Sequence, residues 1–222
     1  MRREEIYKQI ENVTSQMVAV SLCDRQQFPT MRDIGGKWEI SVKEASALSI
    51  ALKNLPYQVI YTELDRTGTY NLKMIDGALI QMMYTFDNKG IKSHRLAFFP
   101  SPELEDYEND PELYDADEIY ADIIAKNIVP FPIRFDFDRD DDLHKEVDHP
   151  KSHLTLGQFK NCRIPVSAPL TPFIFTHFVL RNFYNTAFRK FIKRLNFIGT
   201  QFQENLTPRE RAIPHLRLFD VA

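Results

Sequence analysis

The spacing of apolar residues changes along the chain, and near the N-terminus it predicts helices. Apolar side chains recur every three or four positions there: Ile6, Ile10, Val13, Met17 and Val18. This spacing gathers them on one stripe and predicts an amphipathic helix from Arg3 to Leu22. A second helix is predicted to begin at Ser41, because Glu44 follows at the capping-box spacing, and to end before Pro56.

Beyond residue 56 apolar residues mostly alternate with polar ones, the spacing of strands with one buried face. Strands are predicted over residues 57–64, 70–75, 78–86, 91–99, 128–138, 152–157 and 162–167. The dipeptide Asp76-Gly77 suits the positive backbone angles of a tight hairpin, and residues 87–90 supply a second turn. A short extended piece is also predicted around Trp38. The strands between residues 57 and 99 predict a β-meander, and the later ones are further strands of the sheet.

The C-terminal region predicts helices again, which sets the fold class. Thr171 followed by Pro172 is typical of a helix start, and an aromatic-rich helix is predicted to run on to about residue 194. Thr207 and Glu210 form one more capping box, before a short last helix. The prediction is a single α+β domain over 1–222, with a mostly antiparallel sheet packed by N-terminal and long C-terminal helices. Its parts are a helical segment (1–56), a sheet (57–167) with an acidic insertion (101–127), and helices (171–222).

Composition limits the classes of partner and compartment. The chain has 222 residues, 43% of them hydrophobic, which is enough for a sizeable core. A net charge of −3 favours neither nucleic acid nor an anionic membrane for the molecule as a whole. Only two cysteines, no signal-peptide pattern and no apolar run of about 18 residues predict a cytoplasmic protein without membrane contact.

Residues 103–118 are strongly acidic, with tyrosines interspersed. We interpret them as a solvated loop leading into a helix over 116–126, since acidic side chains favour a helix N-terminus. The alternative interpretation is a docking surface for a basic partner, or a mimic of nucleic acid.

Five motifs along the chain are long enough to be specific. They are DGALIQMMYTF, HRLAFFPSPELE, IVPFPIRFDFD, HPKSHLTLGQFKNCRIPVSAPLTP and FVLRNFYNTAF. Together they resemble a bacterial family, domain of unknown function 2290, over roughly residues 57–195. The resemblance implies a bacterial, soluble, single-domain protein. It transfers no activity, cofactor or catalytic residue, so function is argued from the residues.

Three predicted strands each carry one apolar and one polar face. Arg134, Asp136 and Asp138 share a face of the first strand, and His153 and Thr155 share a face of the second. In the third strand, Arg163 and Ser167 lie opposite the apolar residues. If the three strands are neighbours, their polar faces form one patch. The alternative is that these residues form the solvent-exposed face of an ordinary antiparallel sheet, with ion pairs between neighbouring strands.

Such a patch suits phosphodiester chemistry. Arg134 and Arg163 are the candidate phosphate clamps, because guanidinium groups match phosphate oxygens. His153 is the candidate general acid or base, since imidazole titrates near neutral pH. We expect Asp136 to orient this histidine or hold a metal, and Thr155 to address phosphate. The His153–Thr155 spacing also matches one copy of the pattern that two-histidine phosphoesterases need twice.

Two further sets of residues are candidates for binding. Asp136, Asp138 and His149 could hold a divalent metal, although Pro150 disfavours the helix that would place His149 and His153 together. Basic residues near the end of the long C-terminal helix are candidate substrate contacts: Arg181, Arg189 and Lys190. The competing interpretation is that they only complement the helix dipole.

The leading hypothesis is a nuclease or nucleotide phosphodiesterase of a bacterial defence or toxin system. The alternative is a non-catalytic interaction module, which binds a protein partner encoded nearby or a nucleic acid. The enzymatic hypothesis requires Arg134, His153 and Arg163 to lie side by side around a hollow.

Overall fold

The computed structural model describes residues 1–42, 55–102, 130–195 and 201–217. The described helices are α1 (Arg3–Ala19), α2 (Tyr57–Thr67), α3 (Pro172–Phe183), α4 (Asn185–Phe191) and α5 (Pro208–Arg211). The described strands are β1 (Cys23–Gln26), β2 (Thr30–Ile34), β3 (Lys37–Ser41), β4 (Leu72–Met74), β5 (Leu79–Asp87), β6 (Gly90–Phe99), β7 (Ile133–Asp138), β8 (Ser152–Leu156) and β9 (Ile164–Pro165).

All these strands pair antiparallel in one sheet. The order is β1-β4-β5-β6-β7-β8-β9, and the β2–β3 hairpin joins through β3, which also pairs with β5. The predicted α+β class is therefore confirmed, and so is the meander through β4, β5 and β6, which β7, β8 and β9 continue in the same order. The Asp76-Gly77 turn joins β4 to β5 as predicted, with Gly77 at φ +78°. Among the described helices, none is both long and apolar enough to cross a membrane.

One face of the sheet packs against helices and forms the main core. On this face Phe135 of β7 pairs with Leu96 of β6 and with Leu154 of β8. The Phe135 ring meets Phe178 of α3 edge-on, with centroids 5.0 Å apart. The apolar stripe predicted for α1 is buried in the same core, although α1 ends at Ala19, three residues earlier than predicted.

The strand predicted over residues 57–64 is wrong, because this segment forms α2. Its buried residues, Ile60, Tyr61 and Leu64, fall on one helical stripe. Pro56 precedes the first turn and Gly68 ends the helix in the left-handed conformation, at φ +64°. The short apolar run fitted both periods, and packing on the second sheet face decided it. On that face, α2 packs against Leu79 of β5 and against Ala97 and Phe99 of β6.

The N-terminal part was predicted to be helical, and this is wrong in part. Three strands of this segment, β1, β2 and β3, belong to the sheet. The extended piece predicted around Trp38 is confirmed as β3. Ser41 is the last residue of β3, and the helix predicted to follow it lies outside the described residues. The acidic segment 103–118 and the helix predicted over 116–126 also lie outside them.

The single long helix predicted near the C-terminus is two helices in the structure, α3 and α4. It begins as predicted, with the Thr171 hydroxyl accepting the Ile174 N–H at 3.3 Å. It breaks at Tyr184, whose backbone leaves the helical region at φ −132°, ψ 50°. The buried Tyr184 hydroxyl donates to both carboxylate oxygens of Asp76, at 2.7 and 2.9 Å. This bond ties the break to the β4–β5 turn. The capping box of Thr207 and Glu210 is confirmed.

His94 connects the sheet to the start of α3. It lies on the helix-packed face of β6, is 4% exposed, and its Nε2 accepts the Leu170 N–H at 3.0 Å. Burial lowers the pKa of His94 to about 4. The imidazole is therefore neutral near pH 7 and acts as a structural acceptor.

The lowered pKa of His94 makes stability depend on pH. Below pH 6.5 the unfolded chain protonates this histidine, while the folded chain does not until about pH 4. We therefore expect the free energy of unfolding to fall as pH drops through this window, by up to about 1.4 kcal/mol per pH unit from His94 alone. In His94→Gln, whose amide oxygen can still accept from Leu170, urea unfolding at several pH values should show a shallower decline. Equal slopes in the two proteins would contradict this role.

Candidate active site

The sheet face opposite α3 carries an open cleft of about 870 Å³ beside α2. We call it the polar cleft. Its floor comes from β6, β7 and β8, and its wall comes from the segments before and after β8. The residues discussed below are Arg95, Arg134, Asp136, His153 and Thr155 on the floor, and His149, Phe159, Lys160, Cys162 and Arg163 on the wall.

Strand register assembles the floor. Asp136 of β7 pairs with Arg95 of β6 on one side and with His153 of β8 on the other. Arg134 pairs with Thr155 in the same way. Directly opposed residues on neighbouring strands have their Cβ atoms about 4.5–5.5 Å apart and project from the same face. The structure therefore brings the polar faces of β7 and β8 together.

Asp136 is the negative centre of the floor. Its Oδ1 accepts the Nε–H of Arg95 at 2.8 Å, and its Oδ2 lies 3.7 Å from Nε of Arg134. Burial alone raises the pKa of Asp136, but the charges of Arg95 and Arg134 outweigh it and hold the pKa below its ordinary value. One carboxylate thus holds two guanidinium groups close together. The terminal nitrogens of Arg95 make no hydrogen bond within the described part of the chain.

His153 is held with one nitrogen facing the cleft. Its Nδ1 lies 2.9 Å from the Pro150 carbonyl, which can only accept, so the proton is on Nδ1 and Nε2 keeps its lone pair. Burial lowers the pKa of His153, so the ring is neutral near pH 7. Sequence analysis expected Asp136 to orient this ring. In the structure the Pro150 carbonyl holds it instead, because the Asp136 oxygens face the arginines.

His149 lies beside His153, with ring centroids 5.1 Å apart. Its loop is closed by two backbone hydrogen bonds between Lys145 and His149. Glu210 of α5, which is 1% exposed, braces this loop: its Oε1 lies 3.0 Å from His144 Nε2. Burial lowers the pKa of His149. As expected, no helix joins the two histidines across Pro150. A bend in the chain nevertheless brings the rings of His149 and His153 together.

The wall after β8 adds positive charge. Arg163 precedes β9, and its Nη1 donates to the Lys160 carbonyl at 3.2 Å. Neither Arg163 nor Lys160 has a carboxylate partner among the described residues. Cys162 lies in the same turn as Lys160. It is half-buried in the cleft wall, and its Sγ accepts the Leu156 N–H at 3.4 Å.

The charge of the cleft differs from that of the molecule. Counted over the described residues, its lining carries five cationic side chains and three carboxylates, whereas the whole chain has a net charge of −3. A cleft of one sign concentrates the field and attracts ligands of the opposite sign. The polar cleft is therefore suited to an anion.

Some predicted site residues are not brought to the cleft. Arg181, Arg189 and Lys190 lie on α3 and α4, on the other side of the sheet, and none of them lines the cleft. Ser167 is buried, and its backbone bonds to Leu216 and Asn205.

The predicted metal set is not assembled either. Asp138 lines the cleft, but its Oδ1 accepts the Asp140 N–H at 2.9 Å. Asp136 is engaged by arginine. Within the described ranges, no three His, Cys, Asp or Glu side chains are grouped so that they could hold a metal ion.

Arg95 was missed by sequence analysis, although it is central to the floor. The alternation in β6 contained the necessary information, since Arg95 lies opposite in phase to the buried His94 and Leu96. Its pairing with Asp136 depends on β6 and β7 being neighbours, which the alternation within β6 does not reveal.

The family assignment is decided by a sequence comparison. A family model described as an uncharacterised conserved protein, DUF2290, matches residues 22–218. The chain belongs to the DUF2290 family. The match extends the resemblance predicted over residues 57–195 and covers all of the polar cleft. No curated protein and no solved structure matches this DUF2290 chain. Its function therefore has to be argued from the cleft.

Asp136→Asn tests the charge balance of the floor. The change leaves two guanidinium groups without their counter-charge, and we expect the free energy of unfolding to fall by on the order of 3 kcal/mol. Inorganic phosphate should restore part of the loss, because it binds the folded arginine pair and stabilises that state. Urea unfolding with and without phosphate measures both effects.

The matched control is Glu63→Gln, which removes the exposed ion pair with Arg66 on α2. This variant should be nearly as stable as the wild type and should gain no more from phosphate than the wild type does. A stable Asp136→Asn protein that ignores phosphate would contradict the assigned role of Asp136.

Proposed function

We propose that this DUF2290 chain is a phosphodiester hydrolase, either a nuclease or a nucleotide phosphodiesterase. One observation carries the proposal: a neutral, oriented histidine, His153, pairs across the strands with Asp136, which gathers Arg95 and Arg134. A proton acceptor and a cluster of phosphate ligands thus share the floor of one cleft. Hydrolysis of a phosphodiester needs both.

The arginines supply the binding step. Arg95 retains unbonded terminal nitrogens, and Arg163 stands on the wall without a carboxylate partner among the described residues. Guanidinium groups bind phosphate oxygens through paired, charge-assisted hydrogen bonds. Because they are already held in place by Asp136 and by the Lys160 carbonyl, little further ordering is needed on binding. The same charges stabilise the negative charge that develops on the phosphoryl oxygens.

His153 supplies the proton transfer. Its Nε2 can take the proton of an attacking hydroxyl, from water or from a ribose, as the new P–O bond forms. The nearby Asp136 carboxylate favours the imidazolium that results, as its effect on the pKa of His153 indicates. The protonated ring can then return the proton to the leaving oxygen as the old P–O bond breaks. His149 is adjacent and is the second candidate for this acid step.

A second function is favoured by a different surface. Phe28 and Ile34, next to and within the β2–β3 hairpin, are 50% and 55% exposed. We infer the second function, a non-catalytic module that binds a partner protein, from these two exposed side chains. Neither Phe28 nor Ile34 lines the polar cleft, so substitution of either residue tests this function separately from the cleft.

His153→Ala tests the enzymatic proposal. Removing the proton acceptor should lower the rate of cleavage of RNA, DNA or bis(p-nitrophenyl) phosphate by about 100-fold or more. In the wild type, kcat/KM should rise with pH and level off below pH 6.5, because the lowered pKa keeps His153 unprotonated above that value. This acidic limb should disappear in the variant.

The control for this test is His215→Ala. His215 is half-buried outside the cleft, where its Nδ1 bonds to the Ile213 carbonyl. The His215→Ala variant should cleave the substrates at the rate of the wild type, and circular dichroism should show that both variants are folded. Equal loss of activity in both variants would contradict the assignment of His153. A wild type without turnover that captures a protein through Phe28 would support the second function.

The role in a bacterial defence or toxin system stays a prediction. A phage-challenge assay should show protection by the wild type and none by His153→Ala. Equal plaque counts for both would contradict it.

A further inference from the structure

Phe159 is a solvent-exposed aromatic side chain in the wall of the polar cleft. It is 76% exposed, more than any other large apolar side chain in the described parts of the chain. It also belongs to the cleft lining, next to Lys160. Exposure of a phenyl ring is unfavourable in water, and this ring lies among the cationic side chains of the lining, which makes it available to a ligand that enters the cleft.

The ring is held over the turn that follows β8. Gly157 adopts φ +62°, and a Cβ placed there would lie 3.4 Å from the Phe159 ring, so the ring rests against the glycine backbone. The Phe159 carbonyl accepts the Cys162 N–H at 3.1 Å. Gln158 donates from its side chain to the Leu55 carbonyl at 2.7 Å. The turn therefore presents one flat apolar face from a braced backbone.

Cations extend from this ring along the cleft floor. Lys160 and Arg163 lie in the same turn, Arg134 follows on β7 and Arg95 on β6. The cleft lining reaches further, across β5 to Glu39 of β3. Neighbouring strands are about 4.8 Å apart, so the cationic part of the floor, from β8 to Arg95 on β6, spans about 10 Å. That length exceeds what one phosphate group needs and fits neighbouring phosphates of a chain.

We propose that the ligand of the polar cleft is a single-stranded nucleic acid, with its phosphates along the arginines and one base stacked on Phe159. This inference rests on the proposed phosphodiester function and narrows its substrate. A cationic groove combined with an exposed aromatic ring is the arrangement by which proteins hold single strands. A base within a duplex has both faces covered by its neighbours, so it cannot stack on the ring.

The test is a binding measurement with the full-length His153→Ala protein, which keeps the strand intact. Fluorescence anisotropy would follow three labelled ligands of equal length: a single-stranded oligonucleotide, an abasic strand with the same phosphates, and a duplex. We expect the single strand to bind about tenfold tighter than the abasic strand, since one stacked base contributes at least that factor. The duplex should bind more weakly than the single strand.

Phe159→Ala, added to this background, should weaken binding of the single strand about tenfold and leave binding of the abasic strand unchanged. Phe159→Trp should restore affinity, because indole also offers a flat aromatic face. The matched control is Phe28→Ala, which removes another exposed phenylalanine that does not line the cleft and should change neither affinity.

Two outcomes would overturn the inference. One is equal affinity of Phe159→Ala and its parent for the single strand, with both proteins folded. The other is a mononucleotide that binds as tightly as the longer strand, or a duplex that binds as tightly as a single strand.

Failure of the proposed function looks different. A wild type that binds single strands through Phe159 without cleaving any phosphodiester would refute hydrolysis and leave this inference standing. A wild type that cleaves bis(p-nitrophenyl) phosphate, with strand binding insensitive to Phe159→Ala, would leave hydrolysis standing and refute the inference.

Discussion

The pairing register of β6, β7 and β8 is the constraint on which the rest of the molecule depends. Side chains alternate between the two faces of a strand, so the burial of Phe135 against Leu96 and Leu154 fixes which residues face the other way. A shift of one residue would bring Asp136 into the core and expose Phe135. Core packing against α3 therefore also aligns Arg95, Asp136 and His153 in one row.

That row concentrates charge where it is useful for binding. Asp136 is largely buried, and a buried carboxylate is tolerated only when cations compensate it. Two arginines do so, which leaves the site with excess positive charge and with guanidinium nitrogens aimed at the cleft. Among the described residues, cationic side chains outnumber carboxylates in the cleft lining, so an anion entering the cleft meets a local field opposite in sign to the net charge of the chain.

Two histidines on opposite faces of the sheet show how environment assigns different roles to one side chain. His94 and His153 are both buried, and burial lowers the pKa of both. His94 has a structural role, because its Nε2 accepts the Leu170 N–H just before α3. His153 bonds to the backbone through Nδ1 instead, so its Nε2 faces the cleft. The difference lies in which ring nitrogen the backbone occupies.

The sequence by itself determined the local features. Capping at Thr171 and Thr207, the Asp76-Gly77 turn and the two-residue alternation of β7 are properties of neighbouring residues, and each appeared in the structure as predicted. Alternation also predicted that Arg134, Asp136, His153 and Thr155 avoid the core. Only the tertiary structure decided the rest. Whether residues 57–64 form a helix depended on the sheet face available to Ile60 and Leu64, and the break at Tyr184 depended on Asp76, 108 residues away. The partnership of Arg95 with Asp136, and the choice of Pro150 over Asp136 as the partner of His153, arise from contacts between strands. Such contacts are set by packing, which no single stretch of sequence contains.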